Sequence, residues 1–102
     1  MIARLWRGWT SRENADAYEE FLRTSMFPSI HEVPGFLGAD LLRRPAGEEI
    51  AFVTITRFES LEAVRAFAGE DYEKAVIEPE ARRLLTRFDE RSEHFQVMLE
   101  RA

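Results

Sequence analysis

The most constraining stretch of this chain is its middle. Phe36 to Arg44 and Glu49 to Phe58 are two β-compatible runs separated only by Pro45-Ala46-Gly47-Glu48. A Pro/Gly turn between two such runs makes an antiparallel hairpin. The second run is the stronger signal: Phe52-Val53-Thr54-Ile55-Thr56 is dense in aromatic and β-branched residues, which fit a pleated, packed surface.

The flanks supply the rest. Ile2 to Trp9 reads as a first strand, with Ile2, Arg4, Trp6, Gly8 on one face and Ala3, Leu5, Arg7, Trp9 on the other. Thr10-Ser11-Arg12-Glu13 has the form of a capping box, and Ala15, Tyr18, Phe21, Leu22 follow as one apolar stripe of a helix. Pro28 and Pro34-Gly35 end that pattern, so Met26 to Val33 connects helix to strand through a short helical turn. Ser60 caps a second helix through Leu61, Val64 and Phe67, broken near Gly69. A further helical pattern runs from Asp71 to Val76, and Pro79 opens another short helix carrying Leu84 and Leu85. Glu93 to Leu99 alternates as a last strand. The order β-α-β-β-α-β predicts one ferredoxin-like α+β domain over residues 1–102, a four-stranded antiparallel sheet with helices on one face.

Such a sheet leaves its second face without helices, and that face is expected to be polar in a monomer. Here both faces are apolar: Trp6 opposes Trp9, and Phe52 and Phe58 oppose Val53 and Ile55. Two sheets packed face to face in a symmetric homodimer would resolve this.

Composition excludes several classes of function. Lys plus Arg number 14 and Asp plus Glu 19, a formal charge of −5 that argues against a nucleic-acid partner. No cysteine is present, so there is no disulfide framework, thiolate metal site or cysteine nucleophile. No apolar run spans a bilayer, and Met1 to Thr10 carries Arg4 and Arg7 rather than a signal-peptide core. The expectation is a cytoplasmic protein without membrane contact. His31 and His94 lie far apart with no metal-ligand spacing, and there is no nucleophile elbow, Gly-rich phosphate loop or dinucleotide fingerprint. What remains is aromatic: Trp6, Trp9, Phe52, Phe58, Phe67, Tyr72 and Phe95 either fill the core or line an apolar pocket, with His94, Arg4 and Tyr72 as its polar contacts. His94 is either a half-buried structural imidazole or a proton donor and acceptor.

Phe58-Glu59-Ser60-Leu61-Glu62-Ala63 followed by Ala66-Phe67-Ala68-Gly69-Glu70-Asp71 resembles the antibiotic-biosynthesis-monooxygenase-like family, as do Met1 to Gly8 and Glu93-His94-Phe95. The resemblance implies a dimeric α+β barrel and cofactor-free oxygenation of a small aromatic or polyketide-like substrate. It makes His94 a proton-transfer group, Tyr72 a hydrogen-bond partner, Arg4 a stabiliser of oxyanion charge and Trp6 a packing wall; with Trp6, the aromatic residues Phe58, Phe67 and Phe95 are the candidate substrate-binding residues. No metal or other cofactor is expected. Phe58 stands where such proteins commonly carry Trp. Haem-degrading members use a helix Trp and, ten positions further on, an axial His; the corresponding places here are Phe67 and Ile77, and isoleucine cannot ligate iron. A non-catalytic small-molecule-binding barrel, and an isomerase or cyclase, remain the alternatives on this scaffold.

Overall fold

A computed structural model describes residues 1–102. The chain forms β1 (Ile2–Ser11), α1 (Ala15–Phe21), a π-helical stretch (Leu22–Met26), α2 (Phe27–Ile30), β2 (Phe36–Ala46), β3 (Glu49–Phe58), α3 (Leu61–Ala68), α4 (Pro79–Leu84), β4 (Leu85–Phe88) and β5 (Glu93–Gln96). The strands make one antiparallel sheet. β3 lies between β2 and β1, and β4 and β5 pair in turn with the free edge of β1. This is the α+β arrangement that the order of sequence patterns predicts. No helix is long and apolar enough to cross a membrane.

Period-two alternation decides what each strand presents to the helices. In β3, Ile50, Phe52, Thr54, Thr56 and Phe58 are buried beneath them. Directly opposite in β1 stand Thr10, Gly8, Trp6, Arg4 and Ile2. Phe52 anchors one core with Tyr18, Leu22, Ala81 and Leu84, the Tyr18 ring meeting it edge-on at 4.9 Å. Phe58 anchors a second with Ile30, Ala63 and Val64. Arg43 of β2 ties α1 to the sheet through Asp16 (3.1 Å) and Glu19 (2.9 Å). The outer face of the sheet carries Ala3, Leu5, Trp9, Val53 and Ile55, all half-buried, and the exposed Leu42 and Phe95.

Four details differ from the sequence expectation. The capping box does not form: Thr10 and Ser11 stay in β1, Asn14 occupies the cap position of α1, and the Ser11 hydroxyl accepts from the Asn14 amide at 3.1 Å. Asp71 to Val76 is not helical. A helix there would consume the carbonyls of Tyr72 and Lys74 internally. Both instead accept from the Arg4 guanidinium, while Ala75 and Ser92 amides donate to Glu90 and Glu73 carbonyls across a bridge between Lys74 and Arg91. Leu85 leaves α4 and starts β4, a strand that the sequence pattern did not suggest. The last strand ends at Gln96 rather than Leu99. By contrast, Ser60 does cap α3, its hydroxyl accepting from the Ala63 amide at 3.2 Å.

Gly35 sets the entry to β2. Its φ of +87° lies in the left-handed region, and a Cβ placed there would meet Ala63 Cβ at 2.6 Å. Gly47, at φ +64°, faces open space. Gly35→Ala is therefore expected to cost about 2–4 kcal/mol, strain plus overpacking against α3, and Gly47→Ala about 1 kcal/mol from strain alone. Urea denaturation of the two variants checks this; equal losses would remove the packing role assigned to Gly35.

Candidate active site

The two small side chains at the centre of β3 create the site. Between Phe52 and Phe58, Thr54 and Thr56 are too short to reach the helices above them, and a cavity of about 200 Å³ remains between the two cores. Arg4 and Trp6 share its floor with the threonines. Tyr18, Phe21, Leu22, Met26 and Ile30 form its roof, and Phe67 and Ile77 its sides. Leu22 and Met26 bound the π-helical stretch, a locally widened turn of the kind that recurs at functional sites. The exposed Val76 and Glu78 mark where the cavity opens to solvent.

Trp6 is fixed from two sides. Its indole N–H donates to the Asp89 carbonyl at 2.7 Å, and its ring lies over Gly8, where a Cβ would come within 2.7 Å of it. Tyr18 is buried, and desolvation pushes its hydroxyl above the ordinary phenol range, so it is a neutral wall.

Arg4 is the unusual group. It is only 4% exposed and has no carboxylate partner. Its Nη1 donates to the Tyr72 carbonyl and, at 3.0 Å, to His94 Nε2; its Nη2 donates to the Lys74 carbonyl at 3.1 Å. The guanidinium also sits 5.5 Å from the centre of the Phe67 ring. Burial lowers its pKa to about 10, which still leaves it charged at neutral pH. Because arginine only donates, His94 Nε2 must accept, which puts the proton of the neutral imidazole on Nδ1. That Nδ1 is buried without a partner. The Tyr72 ring meets the imidazole edge-on at 5.0 Å.

The structure thus brings Arg4, Trp6 and Phe67 to the cavity wall. His94 and Tyr72 stand behind Arg4 and reach the cavity through it. Phe58 lies in the second core, stacked behind Phe67 at 5.8 Å. Phe95 points to the outer face of the sheet and is 51% exposed. Sequence reasoning did not single out Thr54, Thr56, Met26 or Glu78. The threonines were within reach, since the period of two that buries Phe52 and Phe58 buries them as well. Glu78 was not, because its position follows from the irregular path after Gly69.

The site does not fit a haem. Ile77 and Phe67 are both on the wall, no imidazole lines it, and His94 Nε2 is directed at Arg4. The cavity is also smaller than the roughly 300–1,000 Å³ usual for cofactor-sized sites. No group of three His, Asp or Glu side chains converges to hold a metal.

Fold and site together define a small α+β protein with a mostly apolar chamber under its helices. The chain belongs to the antibiotic biosynthesis monooxygenase family, whose model matches residues 1–79. It is similar to a mutant of MhuD, the haem-degrading protein of Mycobacterium tuberculosis, solved with two manganese protoporphyrin IX molecules per active site (25% identity, TM-score 0.71, covering 100% of this chain and 99% of that one). Rv0793 of the same organism shares the fold at 20% identity and a TM-score of 0.68, covering 99% and 98% of the two chains. So does SnoaB, a cofactor-independent oxygenase from Streptomyces nogalater, at 22% identity and 0.55, covering 97% and 94%. No curated protein matches the chain by sequence.

The environment of His94 has a pH signature. Burial first, then the charge of Arg4, holds its pKa below the ordinary 6.5, with Glu73 opposing. Protonation therefore favours the unfolded chain. The stabilisation from the neutral imidazole is complete above pH 6.5 and is lost as pH falls through the lower folded value. The urea midpoint of the natural chain is expected to drop more steeply than that of His94→Gln between about pH 7 and 5. Parallel slopes would show that His94 is not held neutral by its surroundings.

Proposed function

We propose that this protein is a cofactor-independent monooxygenase acting on a small aromatic substrate bound between the two cores. The observation that carries the reading is a buried, carboxylate-free guanidinium on the wall of a mostly apolar chamber. Membership of a family that includes cofactor-independent oxygenases supports it.

The chemistry needs a substrate carbanion or enolate and dioxygen. A ring CH₂ loses a proton, and the resulting anion gives one electron to O₂. The substrate radical and superoxide combine to form a C–O bond. The peroxide takes up a proton and, on losing the second hydrogen of that carbon, expels water to leave a carbonyl. One oxygen atom enters the product, the other leaves as water, and the substrate supplies the electrons. Arg4 stabilises the anion, since a fixed charge in a dry chamber acts far more strongly than it would in water. Trp6 and Phe67 hold the ring. His94 and Tyr72 act as positioning residues for Arg4, through the Nε2 contact and the Tyr72 carbonyl. Glu78, the one carboxylate among the lining residues, carries the proton between substrate and solvent.

Oxygen-electrode assays with hydroxylated one- and two-ring aromatics, with a chelator and no added flavin, are expected to show O₂ uptake and transfer of isotopic label from O₂ into product. Arg4→Met is expected to lower kcat/KM by about 10²–10³. Binding of panel members without any O₂ consumption would overturn oxygenation and favour a binding protein.

The same reading makes the protein a homodimer, with the two outer sheet faces packed on each other. That proposal rests on the apolar strip of Leu5, Trp9, Leu42, Val53 and Ile55, half-buried or exposed on the sheet face opposite the helices. Sedimentation should give twice the 11.9 kDa chain mass, and Ile55→Lys should give the single chain with its fold retained. A natural chain that sediments as a monomer at high concentration would end this part of the proposal.

A further inference from the structure

Arg4 and Thr54 together say more about the ligand than its aromaticity. A guanidinium has five N–H donors. The Tyr72 carbonyl, His94 Nε2 and the Lys74 carbonyl take three, leaving Nε–H and one Nη2–H without a protein partner. A buried positive charge with unfilled donors and no counter-anion is costly to the empty protein, and an anion that fills them relieves that cost. On the next rung of the β1–β3 ladder, Thr54 also faces the cavity. It is 6% exposed, and its hydroxyl, also buried, has no hydrogen-bond partner. Two residues with unpaired polar groups thus line one mostly apolar chamber from adjoining positions. They differ in kind: Arg4 demands an acceptor with negative charge, and Thr54 accepts or donates.

We infer that the ligand of this cavity is a small aromatic carboxylic acid, held by its carboxylate on the free edge of Arg4 and by a second oxygen, hydroxyl or carbonyl, on Thr54. A carboxylate is favoured over a phenol because it is ionised at neutral pH before it binds. It also offers two acceptor oxygens to the two free donors. The only carboxylate on the wall, Glu78, is exposed at the rim and leaves the charge at the buried end uncompensated. The chamber of about 200 Å³ exceeds the roughly 150 Å³ cavity that takes up benzene, so it accommodates one ring, or two at most. The inference rests on the proposal that this cavity is the substrate site, and it narrows the substrate class.

Calorimetric titration tests it with four probes: naphthoate, naphthamide, naphthol and a set of hydroxynaphthoate isomers. The natural chain is expected to bind naphthoate about 10–100-fold more tightly than the isosteric amide or the alcohol at pH 7. At least one hydroxynaphthoate should bind more tightly still. Thr54→Val should remove that extra gain and leave naphthoate unaffected; Arg4→Met should abolish the preference for acid over amide. Equal binding of acid and amide to the natural chain overturns the inference, as does a preference for naphthol, and this arm needs no variant to fold. Thr54→Val leaving every isomer unchanged overturns the second contact. Acid-selective binding without O₂ uptake would leave this inference standing and remove the oxygenase; O₂ uptake with phenols and no acid preference would do the reverse.

Discussion

A single alternation in one strand governs the rest of this molecule. The helix-facing row of β3 places large rings at Phe52 and Phe58 and small hydroxyls at Thr54 and Thr56. The rings each seed a core: Tyr18 and Leu22 gather on Phe52, Ile30 and Val64 on Phe58. Helices resting on two such posts cannot descend onto the threonines between them, because close packing at the posts fixes their height. The chamber is therefore built by the well-packed parts of the structure rather than left by poorly packed ones. Replacing either threonine with a longer apolar side chain would fill it without disturbing either post.

Once that space exists, Arg4 becomes intelligible. A guanidinium buried in a small protein costs several kcal/mol unless its donors are met. Here the segment after Gly69 gives up helical structure and turns the carbonyls of Tyr72 and Lys74 towards it. The connection between β4 and β5 then supplies the backbone partners that the segment has forgone, through Ala75, Ser92 and the Lys74–Arg91 bridge. Irregular structure in this region is thus a consequence of solvating one charge. His94 belongs to the same arrangement, an acceptor kept neutral by burial and by the charge to which it is bound.

This dependence explains which features could be read from the amino-acid order. The hairpin of β2 and β3, the Ser60 cap and the Gly69 end of α3 depend on neighbours a few residues away, and local chemistry dictates them. The alternation of β1 and β3 was visible too, including the pairing of Arg4 and Trp6 on one face. The helical pattern at Asp71 to Val76 was real as a pattern, but Arg4, nearly seventy residues away, competes for the carbonyls that it needs. β4 is not legible in the sequence because Leu85 continues an apolar helical spacing, and only the free edge of β1 pulls it into the sheet. Among site residues, the wall positions Arg4, Trp6 and Phe67 were legible as polar or aromatic residues at strand and helix spacing. The place of Phe95 on the outer face depends on the register of β5 against β1, which pairs it with Ala3 and so sends it away from the cavity.

The same register ties the two faces of the sheet together. Arg4 and Trp6 look into the chamber, while Ala3, Leu5 and Arg7, their immediate neighbours along β1, look outward. A strand cannot shift or twist to reposition one set without moving the other. If a second copy covers the outer face, it steadies the backbone that carries the guanidinium without contributing an atom to the chamber. Rigidity matters more for this site than for a purely apolar pocket. The attraction between an apolar wall and a ring changes little with small displacements. The worth of two N–H bonds to a charged oxygen pair falls steeply once their alignment is lost. If, as proposed, one buried cation sets the selectivity of the chamber, its sheet needs to be held firmly from behind, and the apolar outer strip is the part of this chain suited to that task.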